Sequence, residues 1–187
     1  FSYLTDVTID GKDEAVRLFS IPETISRFQL ASGRLPKKED EVDLAAFWKD
    51  RYQIGDQLRI HEKAGSPSVL KTKNYRIVGF VKSAEMWSEK DLGQARSGSG
   101  SLDAYGVLSK EAFTSPVYSL ARIRIDDLRG FNPFSTSYQD RLASHQKDLK
   151  KLLAGNGQER YRKLQADGKQ KIQKGREELD AANKQLA

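Results

Sequence analysis

From Tyr138 onward the apolar residues recur at the spacing of a helix, and no other feature constrains the chain as strongly. After a possible break at Gly155-Asn156-Gly157, a seam runs through Tyr161, Leu164, Gly168, Ile172, Gly175, Leu179, Ala182 and Leu186. The steps are 3, 4, 4, 3, 4, 3 and 4, a heptad pattern with one stutter-like irregularity. Acidic residues precede basic ones by four positions at Glu159–Lys163, Asp167–Lys171 and Asp180–Lys184, the favourable order on a helix. Glycine inside a helix costs about 1 kcal/mol relative to alanine. Gly168 and Gly175 nevertheless both fall on the seam, seven residues apart. Small residues there let a second helix approach closely, so the pattern predicts half of a coiled-coil hairpin whose partner is a returning helix. The plainer alternative is a weak, frayed helix.

Charge follows the same division. Residues 138–187 carry 12 Lys/Arg against 7 Asp/Glu, whereas residues 1–137 carry 20 against 19. The first part is nearly neutral and the second is basic. A uniformly basic nucleic-acid binder has a different distribution. Beyond Tyr138 the only aromatic residue is Tyr161, so stacking platforms for bases are lacking and no nucleic-acid partner is expected.

Residues 1–137 read as short strands. Tyr3 to Ile9 and Ala15 to Ser20 flank Asp10-Gly11-Lys12-Asp13, which predicts a hairpin. Pro22 precedes a possible short helix over Glu23 to Leu30. A brief strand is expected over Glu41 to Leu44, then a helix over Ala45 to Tyr52. Gln57 to His61 alternates, with Leu58 and Ile60 inward. Tyr75 to Val81 is apolar on both faces and reads as a buried central strand. Lys82 to Asp103, containing Ser97-Gly98-Ser99-Gly100-Ser101, is expected to be a flexible loop. Further strands are expected over Tyr105 to Leu108 and over Leu120 to Ile125, the latter with Ala121, Ile123 and Ile125 inward and Arg122 and Arg124 outward. The fold class is therefore α+β: a compact mixed-sheet head over residues 1–137 and a helical arm over 138–187.

Sites for chemistry are hard to assemble. There is no cysteine, which removes disulfides and cysteine-based zinc sites and fits export from a Gram-positive-type cell. His61 and His145 lie in different regions without metal-ligand spacing. No Gly-x-Ser-x-Gly elbow is present, and the Ser/Gly stretch lacks the Gly-Lys-Ser/Thr ending of a phosphate loop. Glu39-Asp40-Glu41 and Asp126-Asp127 read as solvated turn charges. No catalytic residue, cofactor or metal is assigned. Met86 and Trp87 stand among polar residues in the long loop, and Trp87 is either an exposed anchor for a partner or lipid surface, or is buried by the loop folding back.

No apolar run approaches the roughly 18 residues of a membrane span. The chain opens directly into strand-like sequence, and Ala187 falls inside a helical repeat without a stop signal, so a segment of a longer chain is expected.

Four segments in order carry a resemblance: Ser32-Gly33-Arg34-Leu35-Pro36, Asp40-Glu41-Val42-Asp43-Leu44, Ile54-Gly55-Asp56-Gln57-Leu58, and Tyr75-Arg76-Ile77-Val78-Gly79-Phe80-Val81. Together they resemble the extracytoplasmic domain of FtsX-like/MacB-like ABC-transporter permeases. Ser97 to Val107 and the helix from Tyr138 look like the Firmicutes-type branch that adds a helical hairpin. The resemblance implies a MacB-like periplasmic core in the head and a membrane-embedded parent chain. It further implies a cytoplasmic ATPase subunit as partner, an extracellular location at the cell membrane, and a non-catalytic role. That role is transmitting conformational change or engaging an external protein partner or exported substrate. The competing expectation is a ligand-binding module that captures a peptide or amphiphile for the transporter, which requires an apolar pocket.

Overall fold

The computed structural model describes the backbone of residues 1–186 and the side chains of residues 1–183. It divides the chain into a unit spanning Phe1–Arg124 and a second beginning at Ile125, N-terminal to the division expected at 137/138. The chain is a mixed α+β protein, with a sheet unit followed by a long C-terminal helical segment.

The sheet unit has seven strands: β1 (Leu4–Ile9), β2 (Ala15–Ser20), β3 (Gln29–Gly33), β4 (Glu41–Ala45), β5 (Gln57–Glu62), β6 (Asn74–Lys82) and β7 (Leu102–Leu108). The expected hairpin forms, with β1 antiparallel to β2 and Val7 opposite Val16. β2 runs parallel to β7, and β4 parallel to β6, while β4 and β7 are antiparallel. β5 pairs with both β1 and β6, so six strands close into a ring, β6-β4-β7-β2-β1-β5 and back to β6. Closure removes the free edges of those six strands.

β6 has the central place expected of it. Ile77, Val78, Phe80 and Val81 are all buried, so both faces of β6 are covered, and the strand is paired along both sides. At nine residues it outruns β5, which covers it only from Asn74 to Arg76. β3 covers the remainder of that side, from Gly79 to Lys82. β5 shows the expected alternation, with Leu58 and Ile60 buried and Arg59 exposed. Leu18, Leu44, Ile60, Ile77, Val81 and Val107 are among the side chains that fill the core. Each fully buried Leu, Ile or Val contributes about 1.5–3 kcal/mol.

Four expectations are corrected. Glu23 to Leu30 is not a helix: the segment bends, Ser26 adopts φ 57°, and Gln29 begins β3. Pairing with the overhanging half of β6 outweighs local propensity there. Ala45 to Tyr52 forms only a short 3-10 turn at Ala46–Trp48 followed by further turns, anchored by the buried Trp48. Leu120 to Ile125 contributes a single bridge, Ser2 to Leu120, instead of a strand. Ala121 and Ile123 are exposed there, and Arg122 is largely buried. The segment 82–103 is a loop up to Leu102, where β7 begins, but its second half is tied down by hydrogen bonds, as is the turn at its start. Asp6 accepts from the Arg96 N–H at 2.9 Å and from the Arg17 guanidinium at 2.7 and 2.8 Å. Ser97 Oγ donates to the Asp6 carbonyl, and Arg17 also donates to the Gln94 carbonyl.

In the second unit, α1 (Thr136–Leu153) is capped by Ser135, whose Oγ accepts from the Tyr138 N–H. The Gly155 break is a two-residue joint, after which α2 (Asn156–Leu186) runs for 31 residues. Among the described residues no helix is long and apolar enough to cross a membrane.

Candidate functional site

Trp87 is exposed, at 86%. It is nonetheless held in place. The end of β6 delivers Ser83, whose N–H donates to the Tyr105 hydroxyl at 2.9 Å. Ser83 Oγ then accepts from the N–H groups of Glu85 and Met86 at 3.1 and 3.3 Å, forming a tight turn. The indole N–H of Trp87 donates back to the Ala84 carbonyl. Glu85 is fixed from outside the turn by the Arg122 guanidinium, at 2.6 Å to Oε2. That contact holds the Glu85 carboxyl below its ordinary range. Arg122 itself lies over the Phe19 ring, 5.8 Å from its centroid.

Met86 is half-buried against the core, and beside it opens a cleft of about 370 Å³. Ala46, Phe47, Lys82, Met86, Trp87 and Tyr105 contribute to its walls. The Phe47 and Tyr105 rings meet edge-on at 6.0 Å. This surface mixes aromatic and apolar side chains with polar groups, among them Lys82, Ser83 and Glu89. Such a surface can take up an apolar or aromatic group. Met86 and Trp87 are thus brought together with Phe47 and Tyr105, which sequence reading missed. No local pattern joins residues 46–47, 82–89 and 105; only the sheet pairing does.

The helical seam is open. Tyr161, Leu164, Ile172 and Leu179 are exposed, and a Cβ added at Gly168 or Gly175 would meet nothing within 4 Å. Ala182 is exposed as well, and the Leu186 side chain lies outside the described residues. Glu159–Lys163 and Asp167–Lys171 do not close as ion pairs, and Lys184 lies outside the described side chains.

The four segments that carry the family resemblance converge around β6. Gly55 N–H donates to the Ile77 carbonyl, Ile77 N–H to the Asp56 carbonyl, Arg76 N–H to the Asp40 carbonyl and Arg34 N–H to the Val78 carbonyl. Glu41, expected to be a solvated turn charge, is buried at 5% exposure. Its carboxylate accepts from the Arg34 guanidinium and from the N–H groups of Lys37 and Lys38. The Arg34 hydrogen bonds, assisted by the two N–H groups, pull its pKa down to about 2 against the cost of burial.

Asp43 is the opposite case. It is fully buried and neither carboxylate oxygen has a hydrogen-bond donor. Burial pushes its pKa up to about 7, opposed by Arg34 and aided by Glu41. It lies beside Gly79, where an added Cβ would come within 2.7 Å of Asp43 Oδ1 and of the Arg34 carbonyl, and 2.9 Å of the Ser32 carbonyl. Only glycine fits.

The histidines make surface contacts: His61 Nε2 with Asp10 at 2.6 Å, and His145 Nε2 with Asp127 at 2.9 Å. Among the described residues no three His, Cys, Asp or Glu side chains cluster as metal ligands. No family model, no curated protein and no solved structure matches this chain.

Proposed function

We propose that the chain is a non-catalytic extracytoplasmic domain of an FtsX-like/MacB-like ABC-transporter permease. It would transmit conformational change or engage an external partner in export or a cell-wall-related function. The observation that carries this reading is the convergence of the four family-like segments on one strand. Gly79 is the Gly of the Ile-Val-Gly segment, and Arg34 of the Gly-Arg segment binds Glu41 of the Glu-Val segment. These residues serve one another as architecture, which supports their belonging to a single inherited pattern. On this reading the sheet unit is a MacB-like periplasmic core. The exposed seam of α2 is half of a coiled-coil hairpin whose other half belongs to the same parent chain. The partner inside the cell is a cytoplasmic ATPase subunit. The test is co-purification: the full-length protein, solubilised from membranes in mild detergent, is expected to bring an ATPase subunit with it. Isolation without any ATPase overturns the reading.

The second reading, a module that captures a peptide or amphiphile for the transporter, is favoured by one observation. The Met86–Trp87 cleft offers aromatic and apolar side chains to an occupant beside polar ones.

A further inference from the structure

Three aromatic rings line the Met86–Trp87 cleft, and their polar atoms are already engaged. The Trp87 indole N–H donates to the Ala84 carbonyl. The Tyr105 hydroxyl accepts from the Ser83 N–H at 2.9 Å and donates to the Val81 carbonyl at 3.5 Å. Phe47 has no polar side-chain atom. What the rings offer an occupant is therefore their π faces and edges. Among the described residues, Trp87 stacks on no other ring, and no cation lies over Trp87, Phe47 or Tyr105.

Two charged side chains, Lys82 and Glu89, line the same cleft. Both are exposed, and neither forms an ion pair among the described residues. Burial first, and then the Glu89 charge, push the Tyr105 pKa up against the Ser83 N–H, so the carboxylate acts close to that ring. Aromatic rings beside a carboxylate attract a cation, through the ring quadrupole and through Coulomb attraction. A primary ammonium has three N–H donors, each needing an acceptor. Ser83 Oγ already accepts from two backbone N–H groups and the Tyr105 hydroxyl from one, which leaves Glu89 as the free side-chain acceptor. A methylated ammonium makes no such demand, and its methyl groups pack on the rings and on Met86. Lys82 repels a lone cation, so the molecule that fits also carries an anion.

We propose that this cleft binds a zwitterion that joins a methylated ammonium to an acidic group, as phosphocholine does. The ammonium lies against the aromatic rings with Glu89 as its counter-charge, and the anion meets Lys82. A volume of about 370 Å³ suits a ligand of that size. The proposal gives a chemical class to the ligand-capture reading and rests on it, and it does not depend on the permease reading. A free solute and a phospholipid headgroup share this chemistry.

Phosphocholine, choline, phosphoethanolamine and inorganic phosphate are titrated against the whole chain carrying Trp48→Phe, with Trp87 emission as the readout. Calorimetry on the unaltered chain supplies the same affinities without the Trp48 change. Phosphocholine is expected to saturate and to shift Trp87 emission, with choline weaker, phosphoethanolamine at least about tenfold weaker, and phosphate silent. Trp87→Leu and Glu89→Gln should each weaken phosphocholine by about tenfold at unchanged thermal melting. Lys82→Gln should reduce its affinity to that of choline. Three results overturn the proposal: no saturable binding of phosphocholine, equal affinity for phosphoethanolamine, or an affinity unchanged by Trp87→Leu. The uncharged probe N-phenyl-1-naphthylamine separates this failure from failure of the ligand-capture reading. If the probe shifts Trp87 emission and phosphocholine does not, only the zwitterion is overturned; if neither does, both are. Phosphatidylcholine vesicles then assign the source. Cosedimentation that Trp87→Leu abolishes marks a lipid headgroup, and binding of phosphocholine without cosedimentation marks a free solute.

Discussion

Arg34 Nη1 donates to Glu41 Oε2 at 2.8 Å, tying the residue after β3 to the first residue of β4. The pair closes the connection between an outer strand and the ring, and its carboxylate is buried. Removing the guanidinium leaves that carboxylate with only the Lys37 and Lys38 N–H groups. Arg34→Ala is expected to lower stability at pH 7, because the buried Glu41 carboxylate loses its guanidinium partner, and solvent near the exposed Arg34 relieves part of that cost. Urea denaturation measures it. Since the folded pKa of Glu41 is depressed to about 2, its contribution is present above the unfolded value near 4.5 and is lost as pH falls toward 2. The variant and the wild type should therefore converge in strong acid.

Asp43 gives the opposite pH dependence. Its folded pKa is raised to about 7, so the folded state holds a proton that the unfolded chain releases above about 4. Stability should fall as pH rises from about 4 to 7 and then level off. Arg34 and Glu41 are the charged groups that act on it, and neither carboxyl oxygen has a hydrogen-bond partner. Asp43→Asn keeps a donor and removes the titration. It should match the wild type near pH 4 and exceed it by about 2 kcal/mol or more at pH 8. A wild-type melting temperature that does not fall between pH 4 and 7 would contradict this assignment.

Gly79→Ala introduces a Cβ within 2.7 Å of a backbone carbonyl that cannot rotate away. Overpacking of this kind costs about 1–3 kcal/mol. The damage should be local to β3, seen as faster amide exchange at Gln29–Gly33 than in the rest of the sheet. Uniform loss of protection across all strands would show that β3 is not separable from the ring.

The two tryptophans differ sharply in exposure, Trp87 at 86% and Trp48 at 3%. In Trp48→Phe, the remaining Trp87 emission should be red-shifted and readily quenched by acrylamide. In Trp87→Phe, the Trp48 emission should be blue-shifted and protected. Strong protection of Trp87 would mean that the cleft is covered.

Gly168 has open space around it, so Gly168→Ala in this chain should raise helix stability by about 1 kcal/mol. In the full-length parent protein, where a returning helix is proposed to pack on the seam, Gly168→Leu should instead lower the melting temperature. Unchanged melting there would remove the packing role of the glycine.

The strands most legible in the sequence were those whose local pattern agrees with their pairing. β1 and β2 flank a recognisable turn, β5 alternates, and β6 is apolar on both faces. β3 was missed because its residues are exposed and carry no period; only the overhang of β6 makes them a strand. Ile123 and Arg122 were assigned to the wrong sides because alternation was read where no second strand exists to impose it. At the cleft, Met86 and Trp87 were visible as unusual residues in a polar loop. Phe47 and Tyr105 were not, since only the pairing of β4 with β6 and β7 joins them to the loop. The same holds for Asp43, whose burial depends on strands distant in sequence.

The central claim is that this chain lies outside the cell on a membrane-embedded parent. The most direct test is protease treatment of intact, wall-stripped cells expressing the native full-length protein, followed by membrane fractionation and detection with an antibody to residues 1–124. The account predicts an epitope that fractionates with membranes and is cut from outside. An epitope that is soluble and protected until the cells are lysed would contradict it.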